Sequence, residues 1–286
     1  MSKAMRAPLP ERTLRVVVIV VALVLALGPV LYGMVLAIRP FSAVLNAPLD
    51  LFPSPSEWDF SAFGTAIRDE ADGGFGLGRF IRNSLLLALG TVVASLAVSV
   101  LGAYAAARLR YKGRGVVNGI ILSVYLLPGI VLAVPLFVML SRVGLTGNLA
   151  GLLIVYVSTT VPVAIYMVRN YFIALPESVE EAAIIDGCSL PVMLWRVVLP
   201  IAAPGVAATA IYVFMIAWNE YLFALLFLVQ KRELWTAPLG LSQLTEISVP
   251  VTVLLAGSII VTVPVVVLFF IFQRFLVSGL TTGAEK

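Results

Sequence analysis

The sequence contains no histidine and one cysteine, Cys188. The lone thiol excludes an internal disulfide framework, and the missing imidazoles remove the commonest metal ligand and proton shuttle. Metal-dependent chemistry therefore finds no support. Charge is scarce as well: 12% of the 286 residues are charged and 61% are hydrophobic, with a mean hydropathy of +1.07. A soluble domain is roughly half apolar, so the composition points to a polytopic membrane protein. The formal net charge of +4 implies no nucleic-acid partner, because the basic residues sit in short clusters beside apolar runs, as the positive-inside bias produces. Gly73-Gly74-Phe75-Gly76-Leu77-Gly78 follows no strand and lacks the lysine of a Walker A loop. It reads as a flexible linker, and the chain is expected to carry no ATPase activity of its own.

Crossing about 30 Å of hydrocarbon takes roughly 20 mostly apolar residues. Runs of that length are predicted near 14–38, 84–107, 116–140, 150–169, 204–229 and 251–273, giving about six helices. The first run follows Lys3, Arg6 and Arg12 but is longer than the roughly 7 to 15 residues of a signal core, so it is expected to be a retained span. Basic residues at the N-terminal tail (1–13) and at Arg108, Arg110, Lys112 and Arg114 place both segments in the cytoplasm. The acid-rich loop 39–83 then lies outside, with Pro40, Pro48, Pro53 and Pro55 holding it in extended and turn conformations. By alternation the 170–203 segment and the tail 274–286 are cytoplasmic, and 230–250 is external. No internal repeat is visible, which weakly disfavours carriers built from repeated halves.

Between the apolar runs lies a polar island, Glu180-Glu181-Ala182-Ala183-Ile184-Ile185-Asp186-Gly187. Ser178 stands three residues before Glu181, the spacing of a capping box. A short helix is predicted from Ser178, with Glu180 and Glu181 in its favourable first turn and Gly187 as its left-handed stop. Ser189 is placed to cap a second helix running to Leu199 before Pro200. A charged helix pair at a membrane surface suits docking to another protein, because acidic groups match an anionic leaflet poorly.

At these residues the chain resembles the permeases of ATP-binding-cassette importers. Glu181-Ala182-Ala183, Gly187, Val197 and Leu199-Pro200 fit the family's signature, with valine where isoleucine is usual. Trp218-Asn219-Glu220-Tyr221-Leu222-Phe223-Ala224 and Gly279-Leu280-Thr281-Thr282-Gly283-Ala284 resemble the carbohydrate-uptake branch, in particular the second membrane subunit of maltose and trehalose systems. The resemblance implies an all-α permease fold with six transmembrane helices and a cytoplasmic coupling helix. It further implies docking to an ATPase through Glu180, Glu181, Ala182, Ala183, Asp186, Gly187, Leu199 and Pro200. The expected partners are a homologous second permease, two ATPase subunits that bind ATP and Mg, an extracytoplasmic sugar-binding protein and the lipid bilayer. No cofactor is expected in this chain.

Glu220 is the only carboxylate inside a predicted span. It either locks helices together, lines a pathway or sits at a wet interface. For a hydroxyl-rich sugar the candidate pathway residues are Tyr125, Tyr156, Ser158, Thr159, Asn219, Glu220 and Tyr221, with Asn83 and Thr160 further options; serine and threonine in membrane bundles also serve packing. Gly102, Ala103, Ala105 and Ala106 are read as close-packing positions. Trp235, Pro238, Leu239 and Gly240 resemble the family's loop that reaches up to the binding protein; a plain hairpin anchored by Trp235 is the simpler reading. The expected function is a non-catalytic, multi-pass cell-membrane permease subunit of an ATP-driven importer for a disaccharide such as trehalose or maltose, both termini in the cytoplasm. The alternative is an ion-coupled secondary sugar carrier using Glu220.

Overall fold

The computed structural model describes residues 9–246 and 248–281, and side chains over 12–273 apart from Leu122, Tyr125 and Ile247. Lys3, Arg6, the side chain of the candidate Tyr125 and the end of the Gly279 to Ala284 motif lie outside the described residues. Among those described the secondary structure is helical throughout. Two compact units are formed, Met1–Phe75 with Leu244–Ile260, and Gly76–Gln243 with Val261–Lys286.

The first unit opens with α1 (Leu9–Ala37), where Leu14, Val16, Val18, Leu23 and Leu25 are all more than half exposed. A helix this apolar on every side belongs in lipid. The loop after it is more ordered than its prolines suggest. It holds α2 (Phe41–Asn46), α3 (Ser61–Ile67) and 3-10 turns at Pro55–Glu57 and Glu70–Asp72. The organiser is Arg39, 3% exposed, whose guanidinium donates to the carbonyls of Ala47 and Asp50 and pairs with the Asp50 carboxylate at 3.2 Å. Burying a guanidinium is costly unless acceptors meet its donors, and the chain curls round to supply them to both terminal nitrogens, Nη1 and Nη2. The glycine run is likewise a hydrogen-bonded turn rather than a flexible linker, with Gly74 N–H donating to the Asp69 carbonyl and Phe75 N–H to that of Thr65.

The second unit is built on α4 (Leu77–Arg108) and α7 (Leu149–Ala174), which pack against one another, with α11 (Ala203–Asn219) against both. Small residues permit this: Ala88, Ala103, Ala106 and Ala164 are buried on the facing helices. Between lipid-embedded helices close packing and hydrogen bonds replace the hydrophobic drive, and Ser95 and Thr160 share a fully buried bond of 2.7 Å. One apolar cluster surrounds Leu152, Tyr156, Phe214, Trp218 and Leu239; another surrounds Tyr104, Val168, Phe172, Met193 and Val198.

Among the described residues four helices are long and apolar enough to span a membrane: Arg12–Ala37, Leu77–Arg108, Leu149–Ala174 and Val251–Gln273, the last within α14 (Val251–Thr281). A fifth arises if Leu190–Ile201 and Ala203–Asn219, bent by 79°, are taken together. Two expected runs are interrupted. The 116–140 run is split into α5 (Arg114–Leu126) and α6 (Gly129–Arg142), because Pro128 confines Leu127 to an extended conformation (φ −70°, ψ 128°). The 204–229 run breaks after Asn219, and α12 (Leu222–Leu228) restarts it.

The segment expected to be an external hairpin contains a docked helix, α13 (Ala237–Gln243). Its Gly240 lies against Phe80 of α4, so near that a Cβ would run into the ring. Gly240→Ala is therefore expected to destabilise the detergent-solubilised protein by about 1–3 kcal/mol through overpacking. Thermal unfolding measures it, and Phe80→Leu in the same chain should recover part of the loss. An unchanged midpoint would show that α13 does not rest on Phe80.

Candidate functional site

Leu175 and Pro176 end α7, and α8 (Glu177–Ile185) begins at once with Glu177 and Glu180 in its first turn. The predicted capping box is absent. Pro176 takes the cap position with φ −61° and ψ 134°, and Ser178 is already inside the helix, where its hydroxyl cannot serve the first amides. The other end forms as predicted. Gly187 adopts φ +79°, its N–H donates to the Ile184 carbonyl, and the Cys188 N–H reaches back to that of Ala183, both at 3.0 Å. This pair of bonds defines a Schellman stop, and a left-handed residue there favours glycine.

Ser189 occupies the cap of the next helix without a side-chain bond. That helix comprises α9 (Leu190–Met193), a π turn over Leu194–Val198 and α10 (Leu199–Ile201). It runs two residues past the expected end at Leu199. Proline lacks an N–H and crowds the carbonyl four residues earlier; the wider π turn just before Pro200 makes room for it.

The faces of α8 differ sharply. Glu181, Ala182 and Asp186 are exposed, and Ile184 and Ile185 are 61% and 85% exposed, whereas Glu180 and Ala183 point inwards at 8% and 5%. The outer surface is thus an apolar knob with an acidic rim. Leu199 is half-buried and Pro200 exposed. Glu180, expected among the docking carboxylates, is instead committed within the chain: it accepts Arg108 Nε–H at 2.6 Å and the Tyr104 hydroxyl at 2.9 Å. Sequence reasoning used Arg108 only as a topology marker. The available signal was a basic residue in the last turn of a long helix, opposite an acid-rich loop.

Of the pathway candidates whose side chains are described, Tyr156 and Glu220 meet side chain to side chain. Tyr156, 1% exposed, donates to Glu220 Oε2 at 2.8 Å. Glu220 also accepts the N–H groups of Phe223 (2.8 Å) and Ala224 (3.1 Å). In the structure the carboxylate links α7 to α12 and supplies acceptors to the first turn of α12, where the broken helix would leave amides orphaned. Ser158 and Thr159 donate to the Val155 carbonyl, and Asn219 to that of Met215. Thr159 also donates to the Tyr156 carbonyl at 3.1 Å, a bond within α7, and Asn219, Ser158 and Tyr221 remain exposed.

The Trp235 loop is likewise turned inwards. Leu239 and Gly240 are buried, Trp235 and Pro238 half-buried. Trp235 donates from Nε1 to the Leu228 carbonyl, lies 5.8 Å from the Phe80 ring and carries the Arg232 guanidinium 5.0 Å from its ring centre. Asn83, considered for sugar binding, donates both amide hydrogens, to the carbonyls of Glu233 and Trp235 at 3.0 Å each. Ser84 accepts the Ala237 N–H at 2.8 Å. These residues hold backbone that no helix satisfies.

Residues 98–282, which include α8 and its Gly187 stop, match the family described as "Binding-protein-dependent transport system inner membrane component". The chain belongs to this family. The permease is 38% identical over 210 residues to the Escherichia coli inner membrane ABC transporter permease protein YcjP, covering 72% of this chain and 74% of that protein. It is 31% identical over 284 residues to the trehalose/maltose transport system permease protein MalG of Thermococcus litoralis, covering 99% of each. With the trehalose transport system permease protein SugB of Mycobacterium tuberculosis it shares 34% identity over 264 residues, 91% and 93% of the two chains. Among solved structures, a chain of a bacterial ABC transporter involved in import of the acidic polysaccharide alginate superposes with a TM-score of 0.81 at 26% identity, covering 96% of this permease and 99% of that chain. The all-α, multi-pass membrane fold expected from the sequence is the fold of this permease.

Each buried amide left without an acceptor costs about 1–3 kcal/mol. Glu220→Ala is expected to destabilise the permease by at least about 2 kcal/mol, and Glu220→Gln, which keeps an accepting oxygen, by less than half as much. Thermal unfolding of both variants measures this, and equal losses would contradict the capping role.

Proposed function

We propose that the chain is a membrane subunit of an ATP-driven importer for a carbohydrate, a disaccharide such as trehalose or maltose. The outer face of α8 carries the reading: exposed Ile184 and Ile185 inside a rim of Glu181 and Asp186, on a helix stopped sharply at Gly187. Such a knob fits an apolar cleft edged with basic residues on an ATPase subunit. The named transport of trehalose and maltose by two relatives that span nearly the whole chain supports the substrate class.

In this reading the permease pairs with a homologous second permease, two ATPase subunits and an extracytoplasmic sugar-binding protein. ATP and Mg are held by the ATPase subunits, and this chain performs no bond chemistry. ATP binding draws the ATPase subunits together and pushes α8, which turns the membrane cavity outward; hydrolysis returns it. Both termini and α8 lie in the cytoplasm. The secondary-carrier alternative loses its main footing, since Glu220 is engaged by three donors as a helix cap.

The test is reconstitution. The chain should copurify with an ATPase subunit, and liposomes holding the complete transporter should take up radiolabelled disaccharide only with ATP. Uptake that persists without the ATPase would overturn the proposal. Glu181→Lys, which places a cation on the acidic rim, is expected to cut uptake at least about tenfold, the equivalent of one lost charge-assisted contact. Cys188, the only thiol and half-exposed beside Gly187, reports the orientation: a membrane-impermeant maleimide should label it in inverted vesicles, and labelling in intact cells would reverse the topology.

A further inference from the structure

We infer that Arg108 is the positioning residue through which movement of α8 reaches the membrane helices; the inference rests on the coupling role proposed above for α8. Arg108 ends α4 and fans its guanidinium onto α8 and the end of α7. Nε donates to Glu180 Oε1 of α8 at 2.6 Å, Nη2 donates to the Leu175 carbonyl at the end of α7 at 2.7 Å, and Nη1 lies 3.6 Å from Glu177. One turn earlier on the same helix, the Tyr104 hydroxyl holds the second Glu180 oxygen at 2.9 Å. The side chains of Arg108 and Glu180 are 10% and 11% exposed, so water competes little and the pair is rigid.

This latch is not what makes α8 a helix. Its start is set by Pro176 and its stop by the bonds at Gly187 and Cys188. What the latch constrains is orientation. The connection from α7 to α8 is Leu175 and Pro176 alone, a joint that would let α8 swing when pushed. With Arg108 in place, α8 cannot tilt without breaking a buried ion pair, so displacement of its exposed face is carried into α4 and α7, which pack on each other. The Tyr104 ring meets Phe172 of α7 edge-on at 6.0 Å and shares a buried cluster with Met193 and Leu194. The second short helix therefore moves with the same body. Lysine cannot replace the arginine, because a single ammonium lacks the planar fork that serves a carboxylate and a carbonyl together.

The experiment uses the complete transporter in liposomes and reads disaccharide taken up per ATP hydrolysed. The wild-type measurement tests the importer reading by itself: absence of ATP-dependent uptake there refutes that reading before any variant is compared. Given wild-type uptake, Arg108→Ala and Arg108→Lys are each expected to lower uptake per ATP at least about tenfold, and Tyr104→Phe about twofold to threefold. A mechanical role predicts rescue by a covalent tie. In a Cys188→Ser chain, Arg108→Cys with Glu180→Cys should be uncoupled, should regain uptake when bridged by a reducible bifunctional thiosulfonate, and should lose it again on reduction. Unchanged uptake per ATP in Arg108→Ala overturns the inference. So does a bridged chain that assembles but stays uncoupled, or one that fails to assemble with or without the bridge.

Discussion

The bilayer core offers no water to an open N–H or C=O, and an unsatisfied backbone group there costs several kcal/mol. An uninterrupted helix meets that demand by itself; a broken one does not. This permease breaks its helices repeatedly, and at several of the breaks a polar side chain serves the open backbone. Glu220 serves the first amides of α12, and Asn148 accepts the Ala150 N–H at the start of α7. Asn83 and Ser84 hold the chain entering α13. Arg114 donates to the carbonyls of Ala106 and Ala107 near the end of α4. Polar residues that look like ligand contacts in an apolar sequence are thus largely occupied with the backbone.

The same accounting separates the two ends of the second unit. Around Trp235 the polar and aromatic groups face inwards and stiffen the chain. At α8 the arrangement is inverted: one carboxylate, Glu180, is drawn in to fix the helix, while Glu181, Asp186, Ile184 and Ile185 are left outside. An apolar surface so exposed on a helix anchored so firmly is what a docking element requires. Preorganisation lowers the entropic cost of binding, and a rigid base lets force pass through the contact.

The α4 and α7 pair provides that base. Buried alanines bring the helices close, and the Ser95–Thr160 bond joins them at mid-length. At one end Tyr104, Phe172 and Val198 close over the pair. Under the coupling role proposed for α8, fixing the backbone in this way trades local freedom for transmission, because packed elements do not deform continuously.

Much of this was legible in the residues themselves. Long apolar runs determine that the chain is a membrane protein of helices, because hydrocarbon admits few other backbones, and Gly187 determines where α8 stops, because a left-handed turn favours a residue without a side chain. The break at Leu127–Pro128 depends only on neighbours in sequence, yet the apolar content of 116–140 reads as one span and conceals it. Other features were decided by residues far apart in the chain. Glu180 differs from Glu181 only because α4 delivers Arg108 and Tyr104 to one side of α8, a contact across more than 70 positions. The caps that Glu220 supplies to Phe223 and Ala224 are local, but its bond to Tyr156 depends on α7, and Gly240 turned inwards because Phe80 waits on α4. Local sequence sets backbone conformation through short-range sterics, whereas the role of a polar side chain depends on which partners the packed helices carry to it.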